Sequence, residues 1–215
     1  MRKIDKTDTP DFYSKYLDEK IPKSWDDYSS SIKRQLKKHM MKYEQGEYCA
    51  YCEKSIKIDN THIEHIFPKG NDLPEHSNAF KDYTNMLTSC GKDGKPPKGK
   101  NRTCGHAKQD QYSNDFINPT IDDPSLFFEY DLTTGAIIPL EKDETKLNFK
   151  RAKETIKILN LNEINLLAAR GQFIRDCGHC DNDTLNWYLE NYQFKGFTRF
   201  LVNKSRFSLH TCHNL

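Results

Sequence analysis

Four cysteines constrain this chain more than any other feature. Cys49-Ala-Tyr-Cys52 is a Cys-x-x-Cys pair, and Cys90 and Cys104 follow it. Two closely spaced thiols on one turn form half of a tetrahedral metal site, which needs four thiolate or imidazole donors. Cys90 and Cys104 would supply the other half. The stretch between them is rich in Gly, Pro and Lys, so it reads as an inserted loop that leaves both thiols adjacent. The chain has 7 Cys, an odd number, and its start, MRKIDKTDTPDFYSKY, shows no apolar secretory core. In a reducing compartment structural disulfides are disfavoured, so structural zinc is the first expectation. Two other readings stay open: free, partly buried thiols, and a redox pair, although no βαβ pattern surrounds Cys49 and Cys52.

Composition bounds the rest. The 215 residues suit one large domain or a compact core with appendages. Mean hydropathy is −0.89, polar for a folded chain, but 11 Tyr and 12 Phe supply aromatic bulk for a core. No run of about 18 apolar residues occurs, so no membrane span is expected, and the cytoplasm is the expected location. The net charge is only +2, from 33 basic and 31 acidic residues. The whole-chain balance therefore announces no nucleic-acid partner; local clustering must.

The order of segments reads as an α+β fold in three parts. Residues 1–45 hold a polar, extended arm (1–27) with the anchors Phe12, Tyr16 and Trp25, then a helix over 29–44. The Ser run before Ile32 offers an N-cap, and Ile32, Leu36, Met40 and Tyr43 form one apolar stripe. Lys33, Arg34, Lys37, Lys38 and Lys42 cover the other faces, as a phosphate-facing ridge or simply as a solvated surface. Residues 46–142 carry the chemistry and a hairpin over 126–140, whose strands Leu126–Tyr130 and Ala136–Leu140 flank a turn signal. Residues 143–215 are helical in pattern. Phe149, Ala152, Ile156 and Leu159 form one stripe; Ile164, Leu167, Ala168 and Ile174 a second; Leu185, Tyr188, Leu189 and Tyr192 a third. Asn160 and Asn162 mark a break, with Asn162 as a cap for the next helix. This region carries no chemistry of its own and is the expected partner-docking surface.

Between the cysteines lies His62-Ile-Glu64-His65-Ile-Phe-Pro68-Lys69, read as a short strand that Pro68 ends. Side chains alternate along a strand, so His62 and Glu64 share a face and His65 takes the other. A carboxylate suits a hard divalent cation such as Mg²⁺ or Mn²⁺. An imidazole can take a proton from water near neutral pH. Asn85 sits in a tight turn, and Cys104-Gly-His106-Ala-Lys108 begins a helix that brings His106 back toward Glu64. Zinc would then staple a β-hairpin against a short helix.

CAYCE at 49–53, HIEHIFPKG at 62–70, YTNML at 83–87 and CGHAK at 104–108, in that order, resemble the His-Asn-His (HNH) nucleases of ββα-metal fold. The chain is most similar to one branch, the nuclease subunits (PtuB) of Septu anti-phage systems. FINPTIDDPSLFFEYDLTTGAIIP and ILNLN share in that likeness, which covers roughly residues 1–175. The resemblance implies an endonuclease in which His65 is the general base, Glu64 and His106 ligate the catalytic metal, and Asn85 braces the loop behind them. It implies structural zinc on Cys49, Cys52, Cys90 and Cys104; His62, on the Glu64 face, departs from the family's pattern as an extra candidate ligand for the working metal. It also implies an ABC-type ATPase partner (PtuA-like) and, where the subunit is retron-attached, a reverse transcriptase and its msDNA.

A substrate phosphate needs positive charge. Lys92, Lys95, Lys98, Lys100, Arg102 and Lys108 make a basic, Gly- and Pro-rich loop over 91–108 beside the expected site, with Lys69 as a further candidate, suited to sequence-independent phosphate contacts or to plain solvation. DNA and RNA, transfer RNA included, both remain as substrates. Cys177 and Cys180, with His210, Cys212 and His213 of the tail, have the residue types of a second zinc site; unpaired thiols are the other reading. Two other functions compete: a non-catalytic zinc-ribbon adaptor, which leaves Glu64, His65 and His106 idle, and a self-standing toxic nuclease without an ATPase.

Overall fold

Apolar spacing places the first two helices. The computed structural model describes residues 1–69, 78–94, 101–177, 180–191 and 193–211, the side chains of 182 and 204–211 excepted. Helix α1 spans Asp11–Lys20 and α2 spans Ser30–Met40. Phe12, Tyr13, Tyr16 and Leu17 recur at helical spacing on α1. Tyr13 is fully buried; its hydroxyl lies 2.8 Å from that of Tyr28 and donates to the Lys81 carbonyl at 2.9 Å. The expected extended arm over 1–27 is thus corrected: 10 of its residues form a helix, whose aromatic stripe is interspersed with charges and so reads as polar. In α2 the Ser29 hydroxyl accepts from Ile32 N, as an N-cap should, and Ile32, Leu36 and Met40 are buried. Tyr43 was expected on the same stripe but is 59% exposed. The chain widens into a π-helical turn over Met41–Gln45, which shifts the helical phase before Gly46 ends it with φ +63°.

Strand β1 (Thr61–His65) pairs antiparallel with β2 (Met86–Cys90), with Thr61 opposite Cys90 and His65 opposite Met86. Ile63 and Met86 pack into an aromatic cluster with Tyr13, Tyr28 and Tyr83 beneath α1 and α2. Leu87, on the other face, joins a larger core with Cys49 and Cys104. Gln45 closes the outer side of β2. Its amide donates to the Tyr48 and Thr88 carbonyls and accepts from Thr88 N, all within 2.9 Å. The short helix α3 (Cys104–Lys108) packs against β2.

Strands β3 (Phe128–Tyr130) and β4 (Ile137–Pro139) pair within the expected hairpin. Gly135 turns it with φ +75°, and a Cβ there would come within 3.0 Å of the Leu167 carbonyl. Four helices follow: α4 (Leu147–Leu159), α5 (Ile164–Cys177), α6 (Asn182–Asn191) and α7 (Lys195–Thr211). Two expectations change here. The buried face of α5 is Leu166, Arg170, Phe173 and Cys177, while Ile164 is 69% exposed. A buried arginine broke the apolar pattern and moved its apparent phase. Asn162 does not cap α5; its amide grips both backbone groups of Ile137 at 2.9 Å and ties the helix junction to β4.

The chain is therefore α+β, with two separate two-stranded sheets among the described residues. Its larger core joins Cys49, Cys104, Phe173 and Phe197, and the smaller joins α1 and α2 to β1 and β2, so apolar packing runs across positions 45 and 142. No described helix is long and apolar enough to cross a membrane.

Candidate active site

A tight turn after Tyr48 aims the first two thiols at one point. Cys49 N donates to the Lys54 carbonyl and Glu53 N to the Cys49 carbonyl, while Glu53 adopts φ +60°. Cys90 at the end of β2 and Cys104 at the start of α3 complete the group. Their four sulfurs lie within 4.8 Å of one another, with Cys52 and Cys90 at 3.8 Å. Sulfurs about 2.3 Å from a tetrahedral ion would sit about 3.8 Å apart. The cluster thus has the size and donor set to hold a metal ion, and the peptide N–H of Cys90 already donates to Cys49 Sγ at 3.4 Å. Buried Arg170 of α5 shares a small cavity with Cys52, and its guanidinium donates to the carbonyls of Leu161 and Leu166.

The sulfur cluster and a neighbouring cleft share their backbone. On β1, His62 and Glu64 point toward α3, with His62 Nε2 3.7 Å from Glu64 Oε2. Gly105, directly after Cys104, lies against them: a Cβ at 105 would collide with both atoms. Gly91, directly after Cys90, has φ +96° and leaves room for the His106 ring in the same way. The His106 ring lies tilted against that of His62, with centroids 4.2 Å apart. Ser89 ties the two sites together, accepting from Gly105 N at 3.1 Å and standing 3.7 Å from Cys49 Sγ.

One polar atom in this cleft marks it as a place for a cation: His106 Nε2 is buried without a hydrogen bond. Glu64 Oε1 is met by the Lys108 ammonium at 3.0 Å, which leaves Oε2 on the His62 side. His62 Nδ1 faces the Gly91 carbonyl at 3.0 Å, which puts the proton on Nδ1 and leaves Nε2 as a donor atom on the Glu64 side. One carboxylate and two imidazoles fit a divalent ion that accepts nitrogen as well as oxygen. Among the described residues only the four cysteines already bring three or more donor atoms within 4.8 Å. Burial disfavours the charged form of His62, but the Glu64 carboxylate and the Gly91 carbonyl outweigh it and raise its pKa. Burial pushes Glu64 upward too, and His62 and Lys108 more than offset this, holding the carboxylate below its usual range. Burial and the neighbouring His62 lower His106.

His65 leaves β1 on the opposite face, yet it lines the same cleft of about 340 Å³ as His62, Glu64 and His106. Its ring meets the edge of Trp25 at 4.5 Å. Burial brings its pKa down to about 4, so the imidazole is neutral at pH 7. Its Nε2 lies 3.3 Å from the Phe80 carbonyl; a carbonyl only accepts, so Nε2 carries the proton and Nδ1 keeps a free lone pair. Behind it, Asn85 accepts from Phe67 N at 2.8 Å and donates to the Phe67 and Ala79 carbonyls at 3.0 and 2.9 Å. That grip holds the chain immediately after β1.

The basic residues divide. Lys69 is exposed on the cleft rim and Lys92 is exposed nearby. Arg102 is partly buried. Lys95, Lys98 and Lys100 lie outside the described residues. Lys108 departs from its expected place in a solvent-facing loop: it is fully buried, with its ammonium 3.0 Å from Glu64 Oε1. Partners from elsewhere also answer part of the α2 ridge, since Arg34 pairs with Asp59 and Lys37 with Asp93. Lys33 instead sits 4.8 Å over the Trp25 ring. Of the second cysteine group, Cys177 is buried and Cys180 donates to the Asp176 carbonyl. Cys212 and His213 lie outside the described residues, as does the side chain of His210.

Sequence reasoning named Trp25 only as an anchor of the arm, and missed its place in the cleft, Ser89 and the pairing of Lys108. It also passed over the signal that a glycine directly follows each of Cys90 and Cys104. No family model matches the chain. It is 29% identical, over 165 residues, to the "Retron Vc95 putative HNH endonuclease" of Vibrio cholerae serotype O1 biovar El Tor, covering 74% of this chain and 76% of that protein. It is 27% identical, over 213 residues, to the "Retron Ec83 putative HNH endonuclease" of Escherichia coli, covering 84% of this chain and 81% of the relative. The comparisons thus set this chain beside two retron proteins described as HNH endonucleases.

Proposed function

We propose that this chain is a metal-dependent endonuclease of the HNH type, with its ββα-metal core formed by β1, β2 and α3, and that it serves as the effector of a retron-linked anti-phage system. One observation carries the reading: a neutral histidine with a free Nδ1 and a carboxylate–imidazole pair leave β1 on opposite faces and line one cleft. An adaptor that only tethers nucleic acid has no use for that convergence.

In this reading His65 accepts the proton of the attacking water at Nδ1; its burial keeps it unprotonated at neutral pH while making it a weaker base. Trp25 walls the imidazole from bulk water, and Asn85 holds the turn behind it. Lys69 meets the phosphate at the rim. Charge stabilisation at the scissile phosphate and its leaving 3′ oxygen is what a divalent cation held by Glu64, His62 and His106 would supply. Two imidazoles beside one carboxylate favour Mn²⁺ over Mg²⁺, since Mg²⁺ prefers oxygen alone. Zinc on Cys49, Cys52, Cys90 and Cys104 keeps α3 against the hairpin.

The retron descriptions of both relatives support the defence role. The Septu-like motifs add an ABC-type ATPase as partner, with a reverse transcriptase and its msDNA beside it. DNA is the first substrate class, and RNA the alternative. The test incubates the purified chain, with and without its neighbouring ATPase, on plasmid and on total RNA in Mg²⁺, Mn²⁺ or EDTA. Cleavage should need the divalent ion and should fall about 10²–10⁴-fold in His65→Ala. Cutting that survives both EDTA and that variant would overturn the assignment.

A further inference from the structure

Lys108 is the one fully buried lysine among the described residues, and the mechanism above leaves it unused. It ends α3 with its ammonium 3.0 Å from Glu64 Oε1, and it donates to the carbonyls of His65 at 2.9 Å and Gln109 at 3.4 Å. One residue therefore touches both the acid of the metal side and the backbone of the base. Glu64 keeps only Oε2 for a cation, facing His62 Nε2 and the Gly105 backbone.

A buried ammonium on a carboxylate meant for a cation opposes that cation. Like charges repel as the inverse of distance, and a water-poor cleft screens them weakly. Glu64 with two neutral imidazoles would be a site of charge −1, able to collect divalent ions unaided. Lys108 brings the sum to zero; of the other charges on the cleft wall, Asp93 is paired with Lys37 and Asp110 is matched by Lys69. Another anion must then arrive to make the ion welcome, and a nucleic acid brings one in every phosphate.

We propose that Lys108 is a positioning residue that cancels the charge of Glu64, so that a divalent cation and the substrate phosphate enter the cleft together, each raising the affinity of the other. This rests on the metal-dependent nuclease reading. The coupling is reciprocal by thermodynamic necessity. It leaves the cleft poorly loaded when no nucleic acid is present.

Calorimetric titration of the zinc-loaded full chain with Mn²⁺ tests this. A His65→Ala background lets a duplex DNA oligonucleotide be present without being cut. Lys108→Met should bind Mn²⁺ about tenfold tighter than its parent without DNA, and Lys108→Arg should match the parent. In the parent, DNA should raise Mn²⁺ affinity about tenfold or more; in Lys108→Met that gain should shrink. A merely structural lysine would leave Mn²⁺ affinity unchanged or weaken it, and either result in a folded Lys108→Met overturns the proposal. Should that variant not fold, the parent alone decides, because equal Mn²⁺ affinity with and without DNA also overturns it. Absence of Mn²⁺ binding in every protein, with and without DNA, would instead sink the nuclease reading on which the proposal stands.

Discussion

The sulfur cluster and the cleft are neighbours built to opposite plans. Cys49, Cys52, Cys90 and Cys104 meet on their own, with every sulfur within 4.8 Å of the others. The cleft brings only Glu64 and His62 to 3.7 Å and pairs the acid with a buried lysine. A closed site of protein donors serves architecture, whereas a site that performs chemistry must keep positions open for what it works on. The contrast says that the first site should hold its ion permanently and the second only in company.

Removing the closed site should have the largest effect. Cys90→Ser should lose the structural metal, release α3 from β2 and abolish cleavage, with metal content and circular dichroism reporting the change. Retained activity without that metal would erase the distinction between the two sites. His65→Ala comes next: about 10²–10⁴ less cleavage, with metal content and melting temperature kept. Gly105→Ala acts between the two, since its methyl group must push Glu64 or His62 aside. About 10²-fold slower cleavage with full occupancy of the cysteine site is expected, as a displacement near 1 Å can cost that much.

Asn85→Ala removes the hydrogen bonds to the Phe67 and Ala79 backbone and should cost about 1–3 kcal/mol in urea unfolding. The smallest effect is one of pH. His65 titrates at about 4 in the folded chain, below the ordinary imidazole value, so its basic form persists until the pH falls through about 4. His62 is shifted the other way, and its proton competes with the cation at higher pH. The acid limb of the rate profile should therefore lie above the ordinary imidazole pKa at scarce Mn²⁺ and slide toward that of His65 as Mn²⁺ rises. A limb that ignores Mn²⁺ would mean that His62 is no ligand.

Much of this was legible in the residues. Thiol spacing, strand alternation at His62, Glu64 and His65, and the Ile32, Leu36 and Met40 part of the α2 stripe are local signals, and each reappears in the structure. What escaped depends on distant partners. Lys108 looks like one more basic loop residue until β1 places Glu64 beside it. Arg170 looks like a break in the apolar face of α5 until helices close around it. Trp25 gains its place against His65 only through the aromatic cluster that α1 and α2 build. Asn162 had the chemistry of a cap, and the nearer backbone of β4 took it instead.

Gln45 has a consequence for how the protein behaves in a crowded solution. A two-stranded ribbon normally presents a bare rim of peptide groups, onto which another chain can zip and begin an aggregate. Here one side-chain amide imitates a third strand at Thr88, and Ala50 N takes the same carbonyl. The ribbon that bears the proposed catalytic residues is thereby insulated, at the middle of its β2 edge, from self-templated assembly.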